Sequence, residues 1–535
     1  MRSMKDLFIR RERARFAAGG IDRRQFITSM VAAGVVLPTA MTMASEVMAQ
    51  TPNKGGTFRM GIGHGSTTDS IDPATYENGF SVNYGYGWGN ALMATAKNGE
   101  LVGDLAESVE SSDGKVWTLK LKEGVEFHND KSLDADDVIA SIQHHLGEDS
   151  KSAAKGVIGG VESMKKEDAR TVSFTLKNPD ADFPYILSDY HLLIMPATDG
   201  KVDPTAGIGT GPYKNDRYEP GVRAEMSRFA NYHDSDAAHF DEVLLLSIVD
   251  PTARQQALLS GDVDAIDRVD PKTVDLLARA PIVDILEKTG TLHYTFPMRV
   301  TSEPFTNMDL RMALKLSINR QELVDKILLG HGAIGNDHPI SPNQPFHADL
   351  PQREFDPEKA AEFYKKSGHS GTIELSASDA AFAGAVDAAE LIAASAKQAG
   401  IDVKVVREAE DGYWSNVWNK KPWCACYWGG RPTVDWMYRS GYTDDIEWND
   451  TDWRTQDGAV EFNKLVREAR GEVDEAKRAE LYRQTQEILS NQGGAIVPMF
   501  ANYIHGLNKK VAHSEDVSAA FEFDGGKATQ RWWFG

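Results

Sequence analysis

The stretch from Gly103 to Ile142 constrains the fold most, because the hydrophobic period changes within it. Ser112-Asp113-Gly114-Lys115 carries the Asp-Gly pair of a tight hairpin turn. Trp117, Leu119 and Leu121 then alternate with polar residues, which is the period of a half-buried strand. Asp134 stands as a helix cap with Asp137 three residues on, and Val138 and Ile142 share one apolar face of the helix that follows. Strands giving way to amphipathic helices recur along the chain. Thr57–Ile62 reads as a strand, as do Val172, Phe174 and Leu176. Asp356-Pro357 opens a helix that ends at Gly368. Ala383 to Ala399 is helical up to Gly400, and Ile401, Val403 and Val405 alternate after it. Further helices are expected at 459–470 and 475–490, with Asp309 capping an earlier one, and a strand at 495–500.

At 535 residues the chain exceeds what one hydrophobic core supports and has room for two or three domains. Its formal net charge is -21. Acidity of that size argues against nucleic acid or an anionic membrane as partner, both of which favour basic surfaces. The only cysteines, Cys424 and Cys426, are too close for an unstrained disulfide and lack the partners of a zinc site, so they read as small buried apolar residues.

Asp22-Arg23-Arg24-Gln25-Phe26-Ile27-Thr28 resembles the twin-arginine export motif. A modest apolar run from Phe26 to Ala44 follows, broken by Thr28, Ser29, Pro38 and Thr39 and so too weak to span a bilayer. Val47-Met48-Ala49 offers small residues for a signal peptidase, which places the mature start at Gln50. No cysteine lies there to carry a lipid anchor. These signals predict a periplasmic protein exported by the Tat machinery.

Motifs of enzyme chemistry are missing. There is no H-E-x-x-H, G-x-S-x-G or G-x-x-x-x-G-K-[ST]. His144-His145 lack a third metal ligand, and Asp262, Asp264 and Asp267 lack the Gly and closing Glu of a calcium loop. Gly61, Gly63 and Gly65 allow sharp turns around His64, which is either a loop histidine or a ligand contact. Phe80 to Trp88 is rich in Tyr and Gly, a composition for close approach of a ligand or of another chain segment. No metal or cofactor is expected.

Leu105-Ala106-Glu107-Ser108-Val109, DGKVWTLKLKEGVEFHND at 113–130 and Ala135-Asp136-Asp137-Val138 resemble, in order, the signature of the family 5 extracellular solute-binding proteins, the peptide, dipeptide and nickel binding components of ABC importers. Gly209-Thr210-Gly211-Pro212-Tyr213, Gly261-Asp262-Val263-Asp264, Pro304-Phe305 to Arg320 and Gln398 to Val403 continue the resemblance. It implies an α/β, periplasmic binding protein-like fold (class II, cluster C-like). Two lobes would be joined by hinge strands near 290 and 500, with an extra subdomain on the first. The implied boundaries are 1–49 for the signal peptide; 50–85, 206–291 and 500–535 for lobe I; 86–205 for the subdomain; and 292–499 for lobe II. The implied function is capture of a solute by a monomer that delivers it to an ABC permease and its ATPase subunits.

Residues 413–438 hold five of the chain's eleven tryptophans, both cysteines, Arg431 and Asp435. Aromatic rings give large contact area at low entropic cost, and a charged group among them fixes ligand orientation. In peptide-binding relatives a W-x-x-D segment supplies an aspartate for the ligand's amino terminus. Here Trp428-Gly429-Gly430-Arg431 puts arginine at that position, which favours carboxylate or phosphate. Asp435 can take a cationic group or neutralise Arg431. By resemblance Tyr413, Trp428 and Arg431 are the leading contacts, followed by Trp414 and Asp435. The expected solute is a short peptide or a peptide-like or opine-like anionic or zwitterionic molecule. The alternatives are a periplasmic peptidase or amidase, or an importer component for glutathione, an oligosaccharide or a nickel chelate.

Overall fold

The computed structural model describes residues 52–535 except 148, 149, 151, 153 and 410–412, together with short pieces between residues 8 and 40. The expected cleavage point at Ala49-Gln50 lies outside the described residues. Arg23–Ala32 is a ten-residue helix. Among the described residues no helix is long and apolar enough to cross a membrane.

A nine-stranded sheet organises the molecule. Its strands are β1 (Thr57–Ile62), β2 (Tyr213–Glu219), β3 (Arg223–Arg228), β4 (Glu242–Ser247), β5 (Ala265–Ile266), β6 (Val283–Thr295), β7 (Gly332–Ile334), β8 (Cys426–Trp428) and β9 (Met499–Asn508). The order is β2-β3-β4-β1-β5-β9-β6-β8, with β7 also paired to β9. Only β1 runs parallel to its two neighbours, β4 and β5.

β6 and β9 hold the lobes together. Thirteen extended residues reach about 40 Å, enough to cross two cores. Val283, Leu286, Ile504 and Leu507 pack into the lobe I cores, and Met499 and Ala501 into a lobe II core built on Phe296, Leu314, Leu375 and Trp423. The two strands run antiparallel from Val283↔Asn508 to Tyr294↔Met499, with a register break between Thr289 and His293. Gly290 sits in that break, where any Cβ would collide with the Tyr503 ring. The interruption places the bend of the crossing strands at the boundary between the cores.

The region of changing period folds as its pattern dictates. Strands Ala106–Glu110, Val116–Leu121, Thr171–Leu176 and Val161–Asp168 form an antiparallel sheet in that order. Helix Ala135–Leu146 packs on it through Val138 and Ile142, and the Asp134/Asp137 capping box is complete.

Some expectations are corrected. The helix Met308–Leu316 is capped by Asn307, whose side chain accepts from Leu310 N–H at 3.1 Å, while Asp309 sits in the first turn and pairs with Lys366. The last crossing strand starts at Met499 rather than 495. Gly79–Trp88 is a wholly buried helix capped by Asn78. A Cβ on Gly85 would lie 2.5 Å from the Tyr76 ring, so this glycine serves chain packing and not a ligand.

Candidate ligand-binding cleft

Parallel strands β1 and β5 end side by side, and their carboxyl ends are where open α/β sheets hold ligands. After β1 come Gly63 and His64; after β5 come Asp267 and Arg268. Gly63 N–H donates to Asp267 Oδ1 at 2.7 Å, which ties the two loops together. Buried Arg254 clamps them from behind, donating to the carbonyls of Ile248, Val249, Asp267 and Arg268. His64 meets the Arg268 guanidinium through Nε2 and the Gly79 N–H through Nδ1. Burial and the guanidinium groups of Arg268 and Arg254 drive its pKa down to about 3, so the ring is neutral. A neutral imidazole accepts at one nitrogen only and cannot satisfy both donors.

Arg268 carries a second signal. Its φ is +49°, a left-handed conformation that costs a non-glycine residue about 1–2 kcal/mol. The side chain is exposed, yet its electrostatic neighbours come from both sides of the cleft: Glu522 and Asp267, then Tyr427 and Tyr294. Among the described residues no carboxylate lies within ion-pair distance of it. Glu522 is 8% exposed, and burial holds its pKa above the ordinary glutamate value.

Lobe II faces this rim with β8. The pairing Tyr294↔Tyr427 puts both tyrosines on one face of the sheet, while Cys426 and Trp428 point to the other. Tyr294 stacks on Phe382 at 3.9 Å, and Trp414, 40% exposed, meets Tyr427 edge-on at 5.6 Å. Strand parity therefore separates residues that the sequence reading grouped. Trp428 is buried against Trp418, Trp448 and Gly441, and its indole N–H donates to Asp450 at 3.1 Å. Tyr413 is 1% exposed and donates to the Ala425 carbonyl at 2.7 Å. Both rings belong to the lobe II cores behind the cleft, and the ring that faces outward is Tyr427. Cys424 and Cys426 are free and buried, as expected.

Arg431 sits on the loop that follows β8. Gly430 packs so tightly on Thr291, in the hinge bulge, that no Cβ fits there. The Arg431 carbonyl accepts from Gln344 at 2.6 Å. Among the described residues its guanidinium donates only within its own loop, to Gly429 O at 2.7 Å and Gly430 O at 3.3 Å. No carboxylate lies within ion-pair distance among the described residues. Asp189 and Tyr190, across the cleft, are within its electrostatic reach.

Asp435 is corrected outright. It lies fully buried on helix α1 (Val434–Gly441) and takes neither role expected of it. It pairs with Arg439 at 2.9 Å and with Arg470, on helix α2 (Ala459–Gly471), at 3.0 Å. Arg439 also reaches Asp180 at 3.4 Å, and Arg478 on helix α3 (Glu475–Gln492) pairs with Asp182. Ala181 N–H donates to the Arg470 carbonyl at 2.7 Å. This network joins the 180–182 loop, beside the four-stranded sheet, to the helices of lobe II.

Residues 100–450 match the model of the bacterial extracellular solute-binding proteins, family 5 Middle. The chain belongs to this family. Di/tripeptide-binding protein 1 of Pseudomonas aeruginosa is 24% identical over 449 residues, spanning 77% of this chain and 83% of the relative. Glutathione-binding protein GsiB of Pectobacterium atrosepticum is 26% identical over 345 residues, 64% of this chain and 65% of the relative. The structure of the binding protein AgaA from A. tumefaciens R10, in complex with agropinic acid, superposes with a TM-score of 0.74 at 22% identity, covering 90% of this chain and 99% of that one. The family 5 fold and a substrate-binding role are thereby the fold and role of this chain.

Four groups that meet between the lobes escaped the sequence reading. Tyr427 is hidden by the unbroken apolar run Cys424 to Trp428, which shows no alternation. Arg268 follows a turn with no motif of its own. Glu522 and Tyr294 are brought in by tertiary structure alone.

Proposed function

We propose that the chain is the periplasmic component of an ABC importer, capturing a short peptide or a peptide-like or opine-like solute, anionic or zwitterionic, and handing it to a permease and its ATPase subunits. The supporting observation is Arg431, a guanidinium anchored on the hinge bulge with no acid of its own among the described residues. Tyr427 lies within its electrostatic reach, Trp414 meets Tyr427 edge-on, and His64 lies on the facing rim against Arg268. Relatives named for di/tripeptides and glutathione agree with that chemical class. A charge-assisted hydrogen bond in a closed cleft is worth about 1.5–3 kcal/mol, so its loss weakens binding about ten- to hundredfold. The test is calorimetry of Arg431→Ala with the solute that native mass spectrometry finds in protein purified from its host. Unchanged affinity removes Arg431 from the site.

In the same reading the chain leaves the cytoplasm by the twin-arginine route, starts at Gln50, carries no lipid anchor and works as a monomer. The lobes divide as 50–85, 206–291 and 500–535 against 292–499, with 86–205 as the added subdomain. Replacing Arg23 and Arg24 by lysines should leave the precursor in the cytoplasm; export at the normal rate would remove the route.

A further inference from the structure

Among the described residues Arg431 is not alone in lacking an acidic partner. Arg268 projects from the opposite rim, held in a strained backbone conformation against a neutral imidazole that has a second donor to serve. Neither arginine has a carboxylate within ion-pair distance among the described residues. The segment before Glu522 is fixed close by. Phe521 reaches the neighbourhood of Gly79 and His64, and the Ala519 carbonyl lies against Gly290 at the hinge. Tyr427 and Tyr503 each feel Arg268, Glu522 and Arg431 together, which gathers the three charges around one pair of rings.

We infer that the cleft selects a small solute with two acidic groups and one protonated nitrogen: Arg268 takes one acid from lobe I, Arg431 takes the other from the lobe II side, and Glu522 faces the nitrogen. This rests on the reading of Arg431 given above and sharpens it. Bidentate contact by two guanidiniums requires two planar anions, and a simple dipeptide offers one. A dicarboxylate without the nitrogen leaves Glu522 facing added negative charge, which costs affinity. A ligand that joins groups on both rims also binds the closed arrangement better than the open one, as any solute that shifts a lobe equilibrium must.

The test is a titration, by calorimetry and tryptophan fluorescence, with three probe classes: N-carboxymethyl-L-alanine and N-carboxymethyl-L-phenylalanine, the dipeptide Ala-Ala, and glutarate. The N-carboxymethyl amino acids should bind at least about tenfold more tightly than either alternative. Arg268→Gln and Arg431→Gln should each weaken them about ten- to hundredfold. Glu522→Gln should narrow the gap between them and glutarate. Thermal midpoints of the variants should match the parent, since both arginines are at least partly exposed. A loss in Arg431→Gln with none in Arg268→Gln overturns the two-acid site and leaves the importer reading standing. No loss in either variant overturns both. Absence of saturable binding by the N-carboxymethyl amino acids, or equal binding of Ala-Ala, overturns the inference.

Discussion

Asp435→Asn tests whether that acid holds the protein together or holds the solute. The side chain has no exposed surface and sits 2.9 Å from Arg439 and 3.0 Å from Arg470. At an effective dielectric constant of about 20, each contact carries about 5–6 kcal/mol of Coulomb attraction. Against that stand the desolvation of the carboxylate, several kcal/mol, and its repulsion of Asp180 and Asp182. Removing one partner of a buried pair typically costs about 3–5 kcal/mol. The lower end applies here, because Arg439 and Arg470 keep 21% and 19% of their side-chain surface in solvent and Arg439 retains Asp180. The expected loss is about 3 kcal/mol, read as a fall of up to about 1 M in the urea midpoint by tryptophan fluorescence, because m is large for a chain of this size. Affinity for the bound solute should change far less than stability does. A variant as stable as the parent within about 0.5 kcal/mol, but tenfold weaker in binding, would refute the structural assignment and return Asp435 to the site.

Neighbouring rings should part company. Tyr427→Ala should weaken solute binding with little change in unfolding midpoint, whereas Trp428→Ala should destabilise by about 3–5 kcal/mol in the same denaturation assay; the reverse pattern would mean that β8 presents its other face. Arg268→Gly removes a guanidinium and a left-handed strain together, so the thermal midpoint should hold or rise while binding of N-carboxymethyl-L-alanine falls. Acidification should destabilise the fold. His64 and His338 are lowered to about 3, and His128, His145, His293 and His505 to about 4, each mainly by burial. Between pH 6.5 and about 4 the unfolded chain binds protons at these rings that the folded chain refuses, so stability is lost as pH falls through that window. Asp180 and Asp450, raised to about 6 by burial, act oppositely between 6 and 3.8, as do Asp137, Asp182, Asp267 and Glu522, which burial also raises, but these six are outnumbered once His233, His239 and His347, also lowered by burial, join the six histidines above. A melting temperature at pH 5 equal to or above that at pH 7 would contradict this balance.

The architecture was legible where local signals agreed. Asp113-Gly114 made its hairpin, Asp134 and Asp137 closed their capping box, and Asp356-Pro357 and Gly368 bounded their helix. Legibility failed where two residues competed for one job or where no period existed. Asn307 and Asp309 both suit a helix start, and only the backbone decides that Asn307 has the extended φ/ψ of a cap. Cys424 to Trp428 is apolar throughout, so its inward and outward positions appear only once β8 pairs with β6. Asp435 was legible as a charge near Arg431 in sequence. On a helix, however, the residue four positions on shares its face, and that residue is Arg439.

Two sets of arginines near the cleft differ in their partners, and the difference bears on how the lobes move. Arg439, Arg470 and Arg478 have their acids, and those acids include Asp180 and Asp182 from the loop beside the four-stranded sheet. They favour contact between the lobes whether or not a solute is present. Arg268 and Arg431 have none among the described residues, and both sit where the rims face each other. Like charges left facing across a low-dielectric gap oppose its closing, and a solute that answers them removes the opposition. Closure is then set by two electrostatic contributions of opposite sign, one built into the chain and one completed by the ligand.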